Sequence, residues 1–249
     1  MAVLKVRVTS LMDTPKHQIS FTGEFFIPGK SGERIESDHM ERYRFACNYV
    51  RNNAVLDIAC GFGYAGPLMI KAGATYYEGV DINNRLIDNA RSFYGTDDIK
   101  YYQGDICSYK PNKLFNIITC FETIEHVSNY RSALLNINRL LKTNGMLIIS
   151  SPNRPVTSPN ARYLSDKPSN HYHVQEFTVE ELKNELIAAG FSVETNNIFG
   201  QRNSFLNIRN KHLNKVARFI FGDPSIKSSP KVSKIYNKPP RYFIIVANK

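Results

Sequence analysis

The chain has 249 residues, of which 42% are hydrophobic, and its formal net charge is +10 at pH 7. These values are typical of a globular protein with one domain that carries insertions, or with two small domains. No stretch approaches the roughly 20 apolar residues of a membrane span. Lys5 and Arg7 leave no apolar core of signal-peptide length at the N-terminus. A membrane-spanning or exported protein is therefore not expected.

The four cysteines favour the same conclusion. Cys47, Cys60, Cys107 and Cys120 form no C-x-x-C pair, and three of them lie in or beside apolar runs. Thiols in such positions behave as small buried hydrophobic side chains in a reducing compartment. We therefore expect a cytoplasmic protein.

The positive charge is concentrated in the C-terminal part of the chain. Residues 201–249 contain eleven Lys or Arg side chains and one acidic side chain, Asp223, whereas residues 1–200 contain equal numbers of each sign. This asymmetry favours an anionic partner for the C-terminal segment, such as a phosphorylated or polymeric substrate. A solvated surface on a basic protein would explain the same pattern.

Apolar periodicity predicts the secondary-structure elements in chain order. An alternating run at 3–8 predicts an edge strand, and an aromatic, turn-rich stretch follows at 21–30. Predicted helices cover 36–52, 64–72, 83–94, 129–142, 178–189 and 208–221; predicted strands cover 55–60, 76–81, 99–104, 114–120, 146–150 and 242–246, and a further strand opens at 191–194. Continuous apolar strands separated by helices indicate a parallel sheet covered on both faces.

The stretch from Val55 to Gly66 joins a short apolar strand to a helix through a glycine turn. Gly61 and Gly63 allow backbone conformations that side chains disfavour, and they let a ligand approach the main chain closely. The free N–H groups at the start of the next helix then point at whatever lies above the strand. A G-x-G-x-x-G sequence of this kind also occurs in folds that bind dinucleotides.

Three acidic residues accompany successive strands. Asp57 lies inside the first strand, where its carboxylate can reach a cationic ligand, and Asp81 ends the second, where it can accept both hydroxyls of a ribose. Asp105 ends the third strand and can accept the exocyclic amine of an adenine. An amino-sulfonium group, a ribose and an adenine together describe S-adenosylmethionine. An NAD-binding Rossmann unit is the alternative.

The motif from Leu56 to Gly63, with acids after the second and third strands, resembles the class I S-adenosylmethionine-dependent methyltransferases. The resemblance implies a Rossmann-like α/β fold, in which a seven-stranded, mostly parallel sheet has one antiparallel strand between strands 5 and 6 and helices on both faces. It also implies a cofactor site formed by Arg42, Asp57, Gly61, Gly63, Asp81, Ile82, Asp105, Ile106 and Phe121.

The segment before the first strand resembles bacterial small-molecule and sugar methyltransferases, which have a similar Gly-Glu-aromatic and Pro-Gly stretch followed by Arg42 and Tyr43 on a helix. That likeness implies that the segment caps the cofactor and that Arg42 meets its methionine carboxylate; the alternative is a helix that only covers the sheet.

We interpret residues 1–249 as a single methyltransferase domain. It comprises a cap segment at 21–52, a Rossmann-like core at 55–200, a variable basic insertion at 201–240 and the last strand at 241–249.

The loop between Ser151 and Thr178 is polar and contains four prolines. Loops of this length are usually lids or binding loops, so we expect it to form the acceptor pocket together with residues 21–45. Methyl transfer to a hydroxyl requires a base, and histidine is the natural base near pH 7. His173, next to the helix capped by Thr178, is predicted to be that base; His126 supports it, and His171 ranks next.

The same region offers a set of metal ligands. Glu122, Glu125 and His126 share one side of the chain if it becomes helical after the fourth strand. His171 or His173, of which we favour His173, completes a set suited to Mg²⁺ or Mn²⁺. The pattern resembles the small-RNA 3′-terminal 2′-O-methyltransferases, in which such a set holds a metal. Metal-free methyltransferases carry a similar Glu-x-x-Glu-His, whose acids contact the cofactor or the acceptor.

Two functions remain open. The compact length and the aromatic stretch at 21–29 favour O-methylation of a hydroxyl on a sugar or another small molecule, and the basic segment suggests an anionic acceptor. The basic C-terminus and the Glu/His set favour metal-dependent methylation of the 2′-hydroxyl at the 3′ end of an RNA. No RNA-binding motif is evident, which favours the small-molecule acceptor.

Overall fold

A computed structural model of the protein describes residues 32–203, 216, 231–235 and 239–249. The predicted strand at 3–8, the stretch at 21–30 and, apart from Val216, the predicted helix at 208–221 lie outside these residues. The described helices are α1 (Glu33–Ala46), α2 (Ala65–Lys71), α3 (Asn84–Tyr94), α4 (Tyr130–Leu140), α5 (Arg154–Thr157) and α6 (Val179–Ala188). The described strands are β1 (Ala54–Ile58), β2 (Tyr76–Asp81), β3 (Ile99–Gln103), β4 (Phe115–Phe121), β5 (Leu141–Pro152), β6 (Ile198–Asn203), β7 (Val232–Lys234) and β8 (Pro240–Asn248).

These strands form one sheet in the order β3-β2-β1-β4-β5-β8-β6-β7. The pairs among β1 to β5 are all parallel, and β8 runs antiparallel between β5 and β6, with Ile148 opposite Val246. The predicted Rossmann-like fold, with its antiparallel strand between strands 5 and 6, is confirmed. The described residues contribute eight strands to the sheet rather than the predicted seven, because β7 adds an antiparallel edge next to β6.

The strand predicted to open at 191–194 is wrong. Ser192 makes only an isolated antiparallel bridge to Asn248, and a 3-10 turn at Thr195–Asn197 precedes β6. The apolar side chain of Phe191 is what suggested a strand here. It is buried in the same core cluster as the inner side of α6, just after that helix ends. The sixth strand therefore starts at Ile198, several residues later than the apolar pattern indicated.

Two apolar layers cover the sheet. Leu56 and Ile58 of β1 face one layer, which includes the inner sides of α4 and α6. Val55 faces the other layer, which includes α1, α2 and α3. Alternation of side chains along a strand sends neighbours to opposite faces, so both faces of β1 are buried. The helices on both faces are those predicted.

Strand order reverses between β1 and β4, because β2 and β3 lie on one side of β1 and β4 and β5 on the other. In open α/β sheets, ligands bind outside the carboxyl ends of the strands at such a switch point.

In the described part of the chain, no helix is long and apolar enough to cross a membrane. All four cysteines are free thiols.

Candidate functional site

A cavity of about 810 Å³ lies at the carboxyl ends of the strands where the strand order reverses. Its walls are formed by α1, the turn after β1, the ends of β2 and β4, the loop between β5 and α6, and the start of β8. The predicted cofactor residues that line it are Arg42, Gly61, Asp81, Ile82, Asp105, Ile106 and Phe121; among the predicted catalytic and metal residues, Glu122, Glu125, His126 and His173 do so. The cofactor side and the histidine side therefore share one cavity.

The two glycines of the turn after β1 have different roles. Both have left-handed backbones, with φ of 55° at Gly61 and 75° at Gly63. A Cβ added at Gly61 would meet no atom within 4 Å, whereas one at Gly63 would lie 2.5 Å from Cε1 of Tyr101 and 2.6 Å from Cβ of Ala90. Gly61 therefore leaves cavity space for a ligand. Gly63, predicted as a cofactor residue, instead allows the turn to pack on α3 and β3.

The carboxylate of Asp57 lies beneath the cavity rather than in its wall. Its Oδ1 accepts a hydrogen bond from Thr119 Oγ1 at 2.6 Å, and its Oδ2 accepts from the hydroxyls of Tyr77 at 2.7 Å and Tyr43 at 3.0 Å. Burial raises the pKa of Asp57 to about 6, although these hydrogen bonds oppose the rise. Three protein hydroxyls are its hydrogen-bond partners and it does not line the cavity, so a direct contact between Asp57 and a cationic ligand stays a prediction.

Asp81 presents its carboxylate to the cavity from the end of β2. Its Oδ2 accepts a hydrogen bond from Gly61 N at 3.0 Å, and its Oδ1 accepts from Asn83 N at 2.9 Å. Burial raises its pKa, against the effect of these two amide donors. The next side chain, Ile82, is 67% exposed although it lines the cavity. The carboxylate is thus fixed in place and has an apolar side chain beside it.

Arg42 brings a buried cation to the cavity from α1. Its side chain is only 1% exposed, and its Nη1 donates a hydrogen bond to Gln201 Oε1 at 2.7 Å. Its Nε has no hydrogen-bond partner among the described residues. Gln201 also donates to the backbone oxygen of Asp38 at 2.9 Å, so it ties α1 to β6. No local sequence pattern indicates this role for Gln201, which lies at the start of the predicted variable insertion.

His173 forms a hydrogen-bonded pair with Glu176 in the cavity wall. Its Nδ1 lies 2.6 Å from Glu176 Oε1, and its Nε2 lies 2.8 Å from Asn170 Nδ2. An amide nitrogen can only donate and an ionised carboxylate can only accept, so Nδ1 carries the proton and Nε2 the lone pair. Burial acts to raise the pKa of Glu176, but hydrogen bonds from His173 and Thr157 outweigh it and hold the pKa below its ordinary value.

Glu176 was missed by the sequence-based prediction, although its spacing gave a signal. It stands three residues after His173. His171 was predicted as the second-ranked base, and the structure does not bring it to the site. Its exposed ring packs on Tyr172 with the two centroids 3.9 Å apart, and it does not line the cavity.

His126 and Glu125 lie beside this pair. Nδ1 of His126 donates to the carbonyl oxygen of Tyr172 at 2.9 Å, and its ring meets that of His173 edge-on with the centroids 4.8 Å apart. Glu125 is fully buried, and neither of its carboxylate oxygens has a hydrogen-bond partner in another described residue. Burial and the nearby Glu122 carboxylate raise its pKa well above the ordinary value.

Three of the four predicted metal ligands lie together. One potential ligand atom from each of Glu125, His126 and His173 falls within 4.8 Å of the others. Glu122 is not part of this group: its carboxylate accepts a hydrogen bond from Ser150 Oγ at 2.7 Å. The predicted shared helical face is wrong for Glu122, because the helical turn is a 3-10 turn that starts only at Ile124.

Comparison with known proteins agrees with this geometry. The family described as "Methyltransferase domain" matches residues 36–196. A protein of Mycolicibacterium smegmatis named "Probable S-adenosylmethionine-dependent methyltransferase" is 29% identical over 178 residues, which are 71% of this chain and 66% of that protein. A "Ubiquinone biosynthesis O-methyltransferase" of Rickettsia canadensis is 32% identical over 109 residues, which are 43% of this chain and 46% of that protein. The chain thus spans less than half the length of the second relative and about two thirds of the first.

Solved structures show the same fold at low identity. The N-methyltransferase NodS from Bradyrhizobium japonicum, in complex with S-adenosyl-L-homocysteine, has a TM-score of 0.57 and 15% sequence identity. The match covers 88% of this chain and 89% of that one. The family match covers well over half of the sequence and includes the cofactor side of the cavity. The chain therefore belongs to the class I S-adenosylmethionine-dependent methyltransferases.

Proposed function

We propose that this methyltransferase acts on a hydroxyl of a sugar or another small molecule, with His173 as the general base. The observation that carries the proposal is the His173–Glu176 pair in the wall of the same cavity that contains Asp81 and Arg42. An imidazole held by a carboxylate is suited to removing a proton near pH 7. Methylation of a hydroxyl is a reaction that needs such a base, because the oxygen must lose its proton.

The cofactor side fits S-adenosylmethionine. The buried guanidinium of Arg42, with its Nε still without a partner among the described residues, suits the methionine carboxylate. Asp81 suits the ribose hydroxyls, and Ile82 offers an apolar surface to the adenine. Asp105 retains carboxylate capacity for the adenine amine after accepting from Cys107 N at 2.7 Å. The cofactor supplies an electrophilic methyl carbon on a sulfonium.

The chain's own residues then have three tasks. Nε2 of His173 takes the hydroxyl proton of the acceptor, and Glu176 stabilises the imidazolium that forms. Asn170 occupies Nε2 in this structure, so its amide must give way to the acceptor hydroxyl. The carbonyl of Tyr172 orients His126, whose ring packs against the ring of His173. Binding the acceptor in line with the methyl group supplies the remaining advantage by proximity.

The name of one relative also supports methylation on oxygen. The Rickettsia canadensis protein is named as a ubiquinone biosynthesis O-methyltransferase, although the shared segment covers less than half of either chain. The NodS structure is named as an N-methyltransferase, and its low identity bears on the fold alone. The choice of oxygen therefore depends mainly on the base in the cavity.

Metal-dependent methylation of an RNA 3′-terminal ribose is the second candidate, and Glu125 is the observation that favours it. A divalent ion would give a role to the two unpartnered oxygens of Glu125. A ring nitrogen of His126 and one of His173 lie within 4.8 Å of each other and of a Glu125 oxygen, close enough to share such an ion. Asn170 would have to leave Nε2 of His173 for a metal ion, as it would for the acceptor hydroxyl in the first candidate. Activity that is abolished by a chelator and restored by Mg²⁺ or Mn²⁺ would favour the metal.

The division of the chain into cap, core, insertion and last strand stays a prediction.

Product identification tests the proposal. The enzyme is incubated with ¹³C-methyl S-adenosylmethionine and a set of sugars, phenols, amines and RNA oligonucleotides, and heteronuclear NMR identifies the atom that receives the label. We expect methoxy products from small hydroxyl compounds. Label found only on nitrogen or carbon, or only on the RNA 3′ end, would contradict the proposal.

A further inference from the structure

Two arginine side chains in the cavity wall share one aromatic ring. Cζ of Arg42 lies 5.3 Å and Cζ of Arg241 lies 5.6 Å from the centroid of the Tyr242 ring. All three residues line the cavity. Arg241 and Tyr242 were not among the predicted site residues, because they stand in the last strand, nearly two hundred residues after Arg42.

Neither guanidinium has an acidic partner in the part of the chain that the structure describes. The arginines that form ion pairs there are Arg44, Arg91, Arg131, Arg154 and Arg202. Among the described residues, the side chain of Arg241 has only the hydroxyl of Tyr242 as a hydrogen-bond acceptor, at 3.4 Å from its Nε. Because neither guanidinium is held in a direct ion pair among the described residues, both keep N–H donors that an anionic ligand can use.

The proposed cofactor accounts for only one of these cations. Its methionine portion has a single carboxylate, which Arg42 takes under the proposed function. Arg42 is also the deeper of the two, since it is fully buried whereas Arg241 and Tyr242 are only partly buried. Arg241 is therefore left for the acceptor.

Arg241 adjoins the loop that carries His173, since its backbone partner Asn153 also forms a bridge with Phe177, the residue after Glu176. Its carbonyl oxygen accepts a hydrogen bond from Asn153 N at 2.9 Å, which fixes the backbone to the segment just before α5. Burial would lower its pKa, but Tyr242 and then the carboxylates of Asp38 and Glu176 favour the cation and raise the pKa. Glu176 is the residue that holds His173. An anionic group bound at Arg241 would thus place a neighbouring hydroxyl toward the base.

We propose that the acceptor carries an oxyanion, a carboxylate or a phosphate, and that Arg241 binds this group and so selects acidic over neutral hydroxyl compounds. The inference rests on the proposed function for the position of the methylated hydroxyl. A guanidinium suits both oxyanions because its planar N–H groups can form two parallel hydrogen bonds with either. The ring of Tyr242 supports the face of the guanidinium and limits the positions it can adopt.

The first test measures anion binding and needs no acceptor. Full-length enzyme labelled with ¹⁵N is saturated with S-adenosylhomocysteine, which occupies Arg42, and is titrated with inorganic phosphate or with benzoate while the arginine Nε–H signals are recorded. The Arg241 signal is identified by its absence in Arg241→Gln. We expect it to shift saturably with at least one anion. The affinity, which calorimetry measures in both proteins, should fall about tenfold or more in Arg241→Gln, as for the loss of charged hydrogen bonds. No shift with either anion, or equal affinity in the variant, would overturn the inference.

The second test measures specificity on matched pairs, 3-hydroxybenzoate with 3-hydroxybenzamide and glucose 6-phosphate with glucose. We expect the wild-type enzyme to prefer the anionic member of one pair, and the preferred pair identifies the oxyanion. Arg241→Gln should lower kcat/KM for that member by about 10- to 100-fold and leave the neutral member unchanged. Arg139→Gln makes the same change of charge on an exposed position of α4 outside the cavity and should alter neither.

The outcomes separate this inference from the proposed function. If the neutral members are methylated as well as the acids, or if Arg241→Gln slows both equally, Arg241 does not select an acid and the inference fails while O-methylation stands. If the label reaches only nitrogen or carbon, O-methylation fails, and the anion titration alone decides the role of Arg241. If no compound of the panel is methylated, the same titration decides it.

Discussion

Glu176 lies 2.6 Å from Nδ1 of His173, and the two side chains are almost completely buried, at 1% and 10% exposure. This pairing leaves Nε2 as the proton-accepting atom of the histidine. The same nitrogen would meet an acceptor hydroxyl in the cavity. The geometry of these two residues therefore links the fold of the loop between β5 and α6 to the chemistry that we propose.

Replacement of Asp81 by alanine should weaken cofactor binding. The carboxylate is fixed by two backbone amides and lines the cavity, so its loss would leave the ribose hydroxyls of the proposed cofactor without an acceptor. We expect a loss of about 1–3 kcal/mol in the binding free energy of S-adenosylhomocysteine, measured by calorimetry. Asp88→Ala, which removes a carboxylate from α3 outside the cavity, is the control. Unchanged affinity in Asp81→Ala would remove this residue from the ribose site.

Replacement of Asp57 by asparagine should flatten the dependence of stability on pH. The folded pKa of Asp57 is about 6 and its ordinary value is 3.8, so the native state favours the protonated form. That contribution is fully present below pH 3.8 and is lost as the pH rises through about 6. It amounts to roughly 3 kcal/mol at most, since one pKa unit corresponds to about 1.4 kcal/mol.

The difference in unfolding free energy between pH 4 and pH 7, measured by urea denaturation, checks this prediction. It should be smaller in Asp57→Asn than in the wild type, whereas the exposed Asp97→Asn should show the wild-type difference. An equal pH dependence in Asp57→Asn and the wild type would mean that this carboxyl does not titrate in the expected range.

The two glycines after β1 should respond differently to alanine. Both substitutions place a side chain on a left-handed backbone, which costs about 1–2 kcal/mol. Gly63→Ala should lower the unfolding free energy further, because its Cβ would lie 2.5 Å from the Tyr101 ring. Gly61→Ala meets open space, so its additional effect should be on cofactor affinity. Equal destabilisation of both variants in urea unfolding would show that steric contact at Gly63 is not the deciding factor.

Much of the fold could be predicted from local patterns, because β1, β2 and β4 are largely apolar runs that are each followed by a helix. The sixth strand could not, since β6 contains a buried polar side chain, Gln201, whose role is to bond Arg42 and α1. Apolar periodicity does not indicate a strand such as β6, whose buried side chain is polar and makes hydrogen bonds. β7 is only three residues long, too short for periodicity to indicate.

The site was predictable where a motif encodes it. Asp81 and Gly61 follow from the glycine turn and the ends of the strands. Arg241 and Tyr242 reach the cavity only because β8 inserts antiparallel between β5 and β6, which pairs Tyr242 with Pro152. Such a contact depends on the register of two distant strands. The sequence near Tyr242 does not encode it.

The effect of His173→Ala on turnover tests the central claim most directly. The acceptor found by product identification is used, with His171→Ala as the matched control on the exposed neighbour. Loss of a general base typically slows turnover by about 10²–10⁴-fold, so we expect that reduction in His173→Ala, wild-type affinity for S-adenosylhomocysteine, partial recovery with added imidazole, and wild-type turnover in His171→Ala. Full turnover in His173→Ala would contradict the assignment of His173 as the base.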